Sequence, residues 1–351
     1  MPNFTFKKED VKVYVVDTVD SNKTYNIDTN TIEFGQTFQE KSYEVKTIQS
    51  QGSFEGSVIN RANPAEFSLN TPLLKEATNK ILFTKLLNSA TFDLYISSQY
   101  DVWKLEKCAI QDGTFEINQS RPLRLAVSGQ ASKLSKYTPN ASFNVALNAV
   151  SGKRVYIHEV GNTNWVAIGA PSNTQGVIFT ATGNGSGTGA PRLAIPGTLQ
   201  NTSITTTTYI LPALSTLTLG TTDVSTSVIS LSVELQNDIQ WNGYNTVHGA
   251  LAATNAGNSQ YPENFVNGKK ILGGSIRRYL ADNSTTVNTW DNNTSIRLVA
   301  GNGTQGLDFN ISNTSFTNRM TASGDIFTEE YNWRMTQNPT ALSSVITYIT
   351  T

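Results

Sequence analysis

The stretch Ile229-Ser-Leu-Ser-Val-Glu-Leu235 constrains the fold of this chain more than any other. Ile229, Leu231, Val233 and Leu235 alternate without a break against Ser230, Ser232 and Glu234, a period of two that belongs to a strand buried on one face. Phe327 to Met335 repeats the logic, with Phe327, Tyr331, Trp333 and Met335 on one face and Thr328, Glu330, Asn332 and Arg334 on the other. A third strand is expected over Gly268 to Leu280, which reads Gly-Lys-Lys-Ile-Leu-Gly-Gly-Ser-Ile-Arg-Arg-Tyr-Leu. Between these runs lie a turn-rich stretch, Asn237 to Asn267, and a short helical turn expected near Val287 to Trp290. Ile296, Leu298 and Ala300 then alternate, a Gly301-Asn-Gly303 turn follows, and Leu307, Phe309 and Ile311 resume the pattern. The implied architecture is a twisted antiparallel sheet system, not a nucleotide-binding fold.

The first part of the chain shows the same habits. Val11, Val13 and Val15 alternate, Thr31 to Ile48 and Ser53 to Leu69 read as further strand pairs, and a helix is expected over Leu73 to Leu87. Its apolar residues at 73, 74, 77, 81, 82, 86 and 87 follow a helical period, with Pro72 at its start and Thr71 as N-cap. Phe92, Leu94 and Ile96 alternate next, then come a strand from Val102 to Ile110, a turn at Asp112-Gly113, and a strand from Phe115 to Val127. Residues 1–140 hold 16 of the 26 Lys and Arg and 16 of the 27 Asp and Glu. Beyond them Thr, Ser, Asn and Gly take over, and so sharp a shift marks two parts.

Composition excludes several functions. With 38% hydrophobic residues among 351, the chain can build real cores. Its net charge of -1 gives no global basic footprint for neutralising phosphates. Cys108 is the single cysteine, and His158 and His248 have neither Cys nor His beside them, so a disulfide framework or a His/Cys metal site is not expected. The N-terminus has no apolar signal segment, and no run approaches the roughly 20 apolar residues of a membrane helix, so a soluble product is expected. Gly183-Asn-Gly-Ser-Gly-Thr-Gly189 lacks the Gly-Lys-Ser/Thr ending of a phosphate loop and reads as a turn. No Gly-x-Ser-x-Gly elbow occurs, and the adjacent Glu329 and Glu330 would point to opposite faces of a strand, poor geometry for a glycosidase pair.

The order of parts in the last third resembles the tail tube proteins of long-tailed bacteriophages. It has an alternating Ser-rich strand ending at Gln236-Asn237, a long loop to Asn267-Gly268, a Gly-Gly-Ser-Ile strand closing on Arg-Tyr-Leu280, a short helix, a hairpin and a last strand ending at a tryptophan. The segment from Cys108 to Leu134 resembles the same family, and strand pairs, helix, hairpin and long strand follow one another in both parts, so an internal duplication is expected. Between the parts, Arg154 to Gly189 is similar to a small β module inserted in diverse phage virion proteins, with Val-Gly-x-Thr-x-Trp, Ile-Gly-Ala-x-x-Asn and Phe-Thr-Ala-Thr-Gly pieces. The resemblance implies a mainly β chain of tandem tube-type β-sandwich domains, each with a flanking helix: residues 1–140, an inserted module over 153–192, and residues 193–351.

The same resemblance implies a structural virion protein of the tail rather than an enzyme, with no cofactor and no metal, assembled in the host cytoplasm. Its implied partners are further copies of itself, three per pseudo-sixfold ring in a stacked tube, with the tape measure protein, tail terminator and baseplate or tail-tip proteins. DNA would pass through the lumen without sequence-specific binding, and no membrane is involved. A receptor-binding or decoration β-sandwich of the virion is the alternative reading, and a glycan-cleaving virion enzyme is a third.

Inter-ring or inter-subunit contacts are expected at Trp241, Tyr244, His248, Tyr261, Phe265, Lys269, Lys270, Arg277 and Arg278. The Asn237 to Asn267 stretch is too aromatic for a solvated linker and either locks one ring onto the next or folds back over its own sheet. Lys269-Lys270 and Arg277-Arg278 either meet phosphate or pair with carboxylates across a subunit seam.

Overall fold

The computed structural model describes residues 11–20, 23–43, 56–75, 80–98, 102–117, 122–137, 145–200, 209–210, 214–241, 261–280, 294–301, 304–323, 326–337, 339 and 341–350. The protein is mainly β. A first set of strands comprises β1 (Lys12–Asp17), β2 (Lys23–Ile27), β3 (Thr31–Gly35), β4 (Phe38–Tyr43), β5 (Gly56–Ala62) and β6 (Ala65–Pro72). Helix α1 (Ile81–Asn88) follows, then β7 (Phe92–Ser97), β8 (Val102–Ile117), β9 (Arg124–Ala131) and β10 (Lys133–Tyr137). The middle of the chain supplies β11 (Arg154–Glu159), β12 (Ile178–Thr180), β13 (Ala190–Leu193) and β14 (Thr198–Leu199). A second set comprises β15 (Leu214–Leu219), β16 (Thr222–Asp223), β17 (Val228–Trp241), β18 (Phe265–Tyr279), β19 (Thr294–Gly301), β20 (Gly306–Ser323), β21 (Ile326–Met335) and β22 (Ile346–Ile349).

The strand pairings of the first set recur in the second. Antiparallel ladders join β1 to β2 and β7, β8 to β7, β9 and β10, and β6 to β3 and β9. In the second set β15 pairs with β16 and β19, β20 with β19, β21 and β22, and β18 with β17 and β21. The long strands β8 and β20 each change partners along their length, β8 from β7 and β10 to β9, and β20 from β19 and β22 to β21. A bulge marks the change: β8 spends Leu105 to Cys108 against Leu94 and Phe92, and β20 spends Ile311 to Thr314 against Ile296 and Thr294. Such an extra residue bends the strand and re-aims it.

Both sets share one hydrophobic core, in which Val13, Val15, Phe67, Leu86, Phe92, Phe115, Val233, Leu272, Phe309 and Tyr331 are all buried. The middle segment has its own small core, built on Val155, Ile157, Trp165 and Phe179, with Trp165 Nε1 donating to the Val160 carbonyl at 2.9 Å. It rests on the first set through Ala194 and Ile195, which pack with Tyr14, Val16, Tyr95 and Val102. Arg154 adds to that seat, its guanidinium 5.3 Å from the Tyr14 ring and its Nη2 donating to Ser97 Oγ at 3.2 Å.

Two local expectations are corrected. The helix begins at Ile81, not Leu73, because Thr71 and Pro72 extend β6 by pairing with Leu125 and Arg124 of β9. Asp112-Gly113 is no turn: β8 runs straight through it, pairing Gly113 with Val127. The glycine serves packing there, since a Cβ would collide with the Leu86 side chain of α1. Likewise Gly274 of β18 has no room for a Cβ beside the Ser232 carbonyl oxygen of β17. The helical turn expected at 287–290 lies outside the described residues.

Candidate assembly interface

The two sets meet edge to edge. Strand β17, which occupies in the second set the place of β3 in the first, pairs on its other side with β8 from Leu231 opposite Ile117 to Gln236 opposite Asp112. Helix α1 is tied to this junction at its C-terminus, where the last carbonyls of a helix have no partner of their own. Asn237 Nδ2 donates to the carbonyls of Leu86 at 3.3 Å and Ile110 at 3.0 Å, and Lys270 Nζ donates to that of Leu87 at 2.9 Å. A cation at a helix C-terminus also complements the dipole. Burial lowers the Lys270 pKa. Rings close the inner side: Phe115 lies 5.4 Å from Phe309, Phe83 lies 5.4 Å from Tyr348, and the Tyr348 hydroxyl donates to the Leu74 carbonyl. Such edge-on aromatic pairs add about 0.5–1.5 kcal/mol each beyond burial.

One edge of β3 and one of β20 stay open among the described residues. Among the described residues β3 pairs only with β6, and β20 beyond Ser315 only with β21. A groove of about 570 Å³ runs along β3, bordered by Phe34, Gln36, Phe67 and Gln111. Near the β20 edge, Met320, Ile326 and Phe327 are exposed. Unpaired edges with exposed apolar residues are a hazard unless another strand covers them.

Beside that edge sits a buried ion pair. Arg278 donates from Nε and Nη2 to Glu329 Oε2 at 3.1 and 2.9 Å, and from Nη2 to Tyr331 Oη at 3.1 Å. Asn318 Nδ2 donates to the other carboxylate oxygen. Burial, reinforced by Glu329, pushes the Tyr331 hydroxyl up to about 12, so it stays neutral and can donate.

The residues expected to make contacts divide. Trp241 and Phe265 face each other across β17 and β18 with ring centroids 5.0 Å apart. Tyr261 packs on Phe38, 6.2 Å between centroids, and under Lys133 Nζ at 4.7 Å, so the end of the long stretch folds onto the first set of its own chain. Ser132 Oγ donating to the Pro262 carbonyl and Lys107 Nζ donating to that of Glu263 hold it there. Lys269 is exposed, and so is Arg277, whose Nη2 donates to Thr328 Oγ1 at 3.4 Å. Tyr244 and His248 lie outside the described residues. Of the charged residues expected at a subunit seam, Lys270 donates to the Leu87 carbonyl of α1, and Arg278 to Glu329 of its own chain. Asn237 was missed as a junction residue. Its signal was legible, a polar side chain at an inward position of an otherwise alternating strand.

Among the described residues no group of three or more His, Cys, Asp or Glu side chains is placed to hold a metal, and no helix is long and apolar enough to cross a membrane. Cys108 is fully buried and burial holds its thiol well above the usual range.

No protein-family model matches the chain. No curated protein matches it either. Among solved structures, the chain is similar to one from the baseplate of the anti-feeding prophage, a sixfold-symmetrised cryo-EM structure, at 11% identity and a TM-score of 0.31, covering 39% of this chain and 97% of that one. A likeness of that degree says nothing about what this chain does.

Proposed function

We propose that this chain is the tail tube subunit of a long-tailed phage, a structural protein whose copies close into rings and stack into a conduit for DNA. The observation that carries the reading is the doubled strand pairing, with the two sets already joined edge to edge through β8 and β17. That ladder is a heterologous contact: it uses one edge of the first set and a different edge of the second, and each chain keeps one free edge of each kind. Repeating a heterologous contact gives a ring if the rotation closes. With two tube-type domains per chain, three chains fill six positions. The outward face of the joined sheets supports passage of DNA without tight binding, because Glu66, Asp112, Glu116 and Glu234 alternate there with Arg124, Arg277 and Arg334. The tape measure protein, terminator and baseplate or tail-tip proteins are the partners that the family resemblance implies.

Electron microscopy of the purified, concentrated protein tests the reading. Rings or tubes with three chains per turn, counted by native mass spectrometry of the ring, are expected. Six chains per ring would refute the pseudo-sixfold arrangement, and discrete glycan-binding trimers without tubes would favour the receptor-binding alternative.

A further inference from the structure

The junction inside the chain supplies a template for the junction between chains. Matching the bulges of β8 and β20 sets Cys108 against Thr314 as equivalent positions. Following the ladders outward from there makes Gln130 equivalent to Arg334, Glu66 to Gly273, and Gly35 to Glu234. The other branch makes Glu116 equivalent to Thr321 and Phe115 to Met320.

We infer that the open edge of β20 in one copy pairs antiparallel with the open edge of β3 in the next, in the register that β8 and β17 show within the chain. That register sets Ile32 opposite Ala322, Glu33 opposite Thr321, Phe34 opposite Met320, and Thr37 opposite Thr317. The inference rests on the self-assembly proposed above and names the strands and residues that perform it.

Three observations favour a second copy of this chain as the occupant. The inner face at the end of the second set is uncovered where its equivalent in the first is sealed. Phe115, Leu123 and Leu73 are 0%, 1% and 4% exposed, whereas the equivalent Met320, Phe327 and Leu280 are 56%, 57% and 39% exposed. Part of the cover over Phe115 is Phe309 of the second set, and the position equivalent to Phe309 is Trp103, which stands half-buried against Phe34 beside the open β3 edge. The next copy therefore brings Trp103 to Met320 as Phe309 comes to Phe115. Charge agrees as well: Glu33 falls diagonally across from Arg319 on the same face, within reach of a cross-strand pair. Gly35, opposite Arg319, has no neighbour within 4 Å of a built Cβ, which leaves room for the long side chain.

Engineered disulfides test the register, because a bridge needs Cα atoms about 4.4–6.8 Å apart. Glu33→Cys with Thr321→Cys, and Thr37→Cys with Thr317→Cys, place exposed residues opposite each other. Glu33→Cys with Thr317→Cys is the control, displaced by four residues. After mild oxidation of assembled protein, both in-register pairs are expected to give covalent dimers and trimers on a non-reducing gel, at least tenfold above the control. Rings that form but cross-link no better in register than in the control would overturn this pairing and leave the tube reading standing. Folded protein that stays monomeric at high concentration would overturn both.

Discussion

Replacing Arg278 by methionine isolates the buried ion pair. Both side chains are 5% exposed, so the Glu329 carboxylate cannot recover by turning to water. It would lose both hydrogen bonds from Arg278 and keep neutral donors, Asn318 and the Tyr331 hydroxyl, while Tyr331 would lose its guanidinium donor. Breaking a buried pair from one side costs about 3–5 kcal/mol, because the remaining charge is uncompensated. With an m-value of about 3 kcal/mol/M, that moves the urea midpoint down by roughly 1–1.7 M. The reverse change, Glu329→Leu, is expected to cost a similar amount by stranding the guanidinium. The double variant Arg278→Met with Glu329→Leu is expected to cost less than either single one, since a well-packed apolar pair replaces two charges without leaving either alone. The chain holds its own precedent, because the position equivalent to Glu329 in the first set is Leu125, buried in the core. Equilibrium urea unfolding of the monomer followed by tryptophan fluorescence measures all four proteins. A single-variant loss below about 1 kcal/mol, or a double variant that costs the sum of the singles, would refute the argument.

Two further outcomes follow from the structure. Although burial alone would raise it, hydrogen bonds from Lys85 at 2.6 Å and from the Val19 amide hold the Asp17 carboxyl below the usual carboxylate range. A depressed carboxylate stabilises the fold above its unfolded pKa of about 3.9, and that contribution is lost as pH falls through the folded value, so wild type should lose stability below about pH 4 more steeply than Asp17→Asn; parallel acid titrations followed by circular dichroism would contradict this. Deleting residues 154–192 should leave assembly intact, since the Ala194 amide donates to the Arg154 carbonyl at 2.9 Å and the cut ends lie side by side; loss of rings with a folded monomer remaining, seen by electron microscopy, would count against an external module.

Alternation made the strands legible. Ile229 to Leu235 lies within β17, and Tyr331 and Trp333 are buried on the expected face of β21. Phe327, on the same face, is exposed, and Thr328, assigned to the wet face, is buried, its hydroxyl donating to the Thr321 carbonyl and accepting from Arg277. Glu329 and Glu330 do point apart, Glu329 inward to Arg278. Local rules failed where a residue type had a second use. Thr71-Pro72 looks like a helix start but ends a ladder, and Asp112-Gly113 looks like a turn but makes room for Leu86. The sequence shows aromatic and charged side chains but not which of them are already satisfied within the chain. Trp241 is taken by Phe265, Lys270 by α1 and Arg278 by Glu329, whereas the plain strands β3 and β20 carry the open edges.

The ladder between β8 and β17 also bears on how the chain reaches its fold. It joins Ile117 to Leu231, closing a loop of more than a hundred residues, longer than the non-local ladders inside each set, which join Asp17 to Phe92 and Leu219 to Ile296. A flexible loop of that length carries a closure entropy of roughly 4 kcal/mol from the logarithmic term alone, and non-local pairings of this kind form slowly. The nascent chain should therefore pass through a stage in which each set is paired internally while β8 and β17 are still bare. During that interval it exposes the edges of β8 and β17 in addition to those of β3 and β20, and strand exchange with a second nascent chain competes with closure. Refolding yield should fall with protein concentration through this stage, and the last kinetic phase to complete should be the one that buries Asn237 beneath α1.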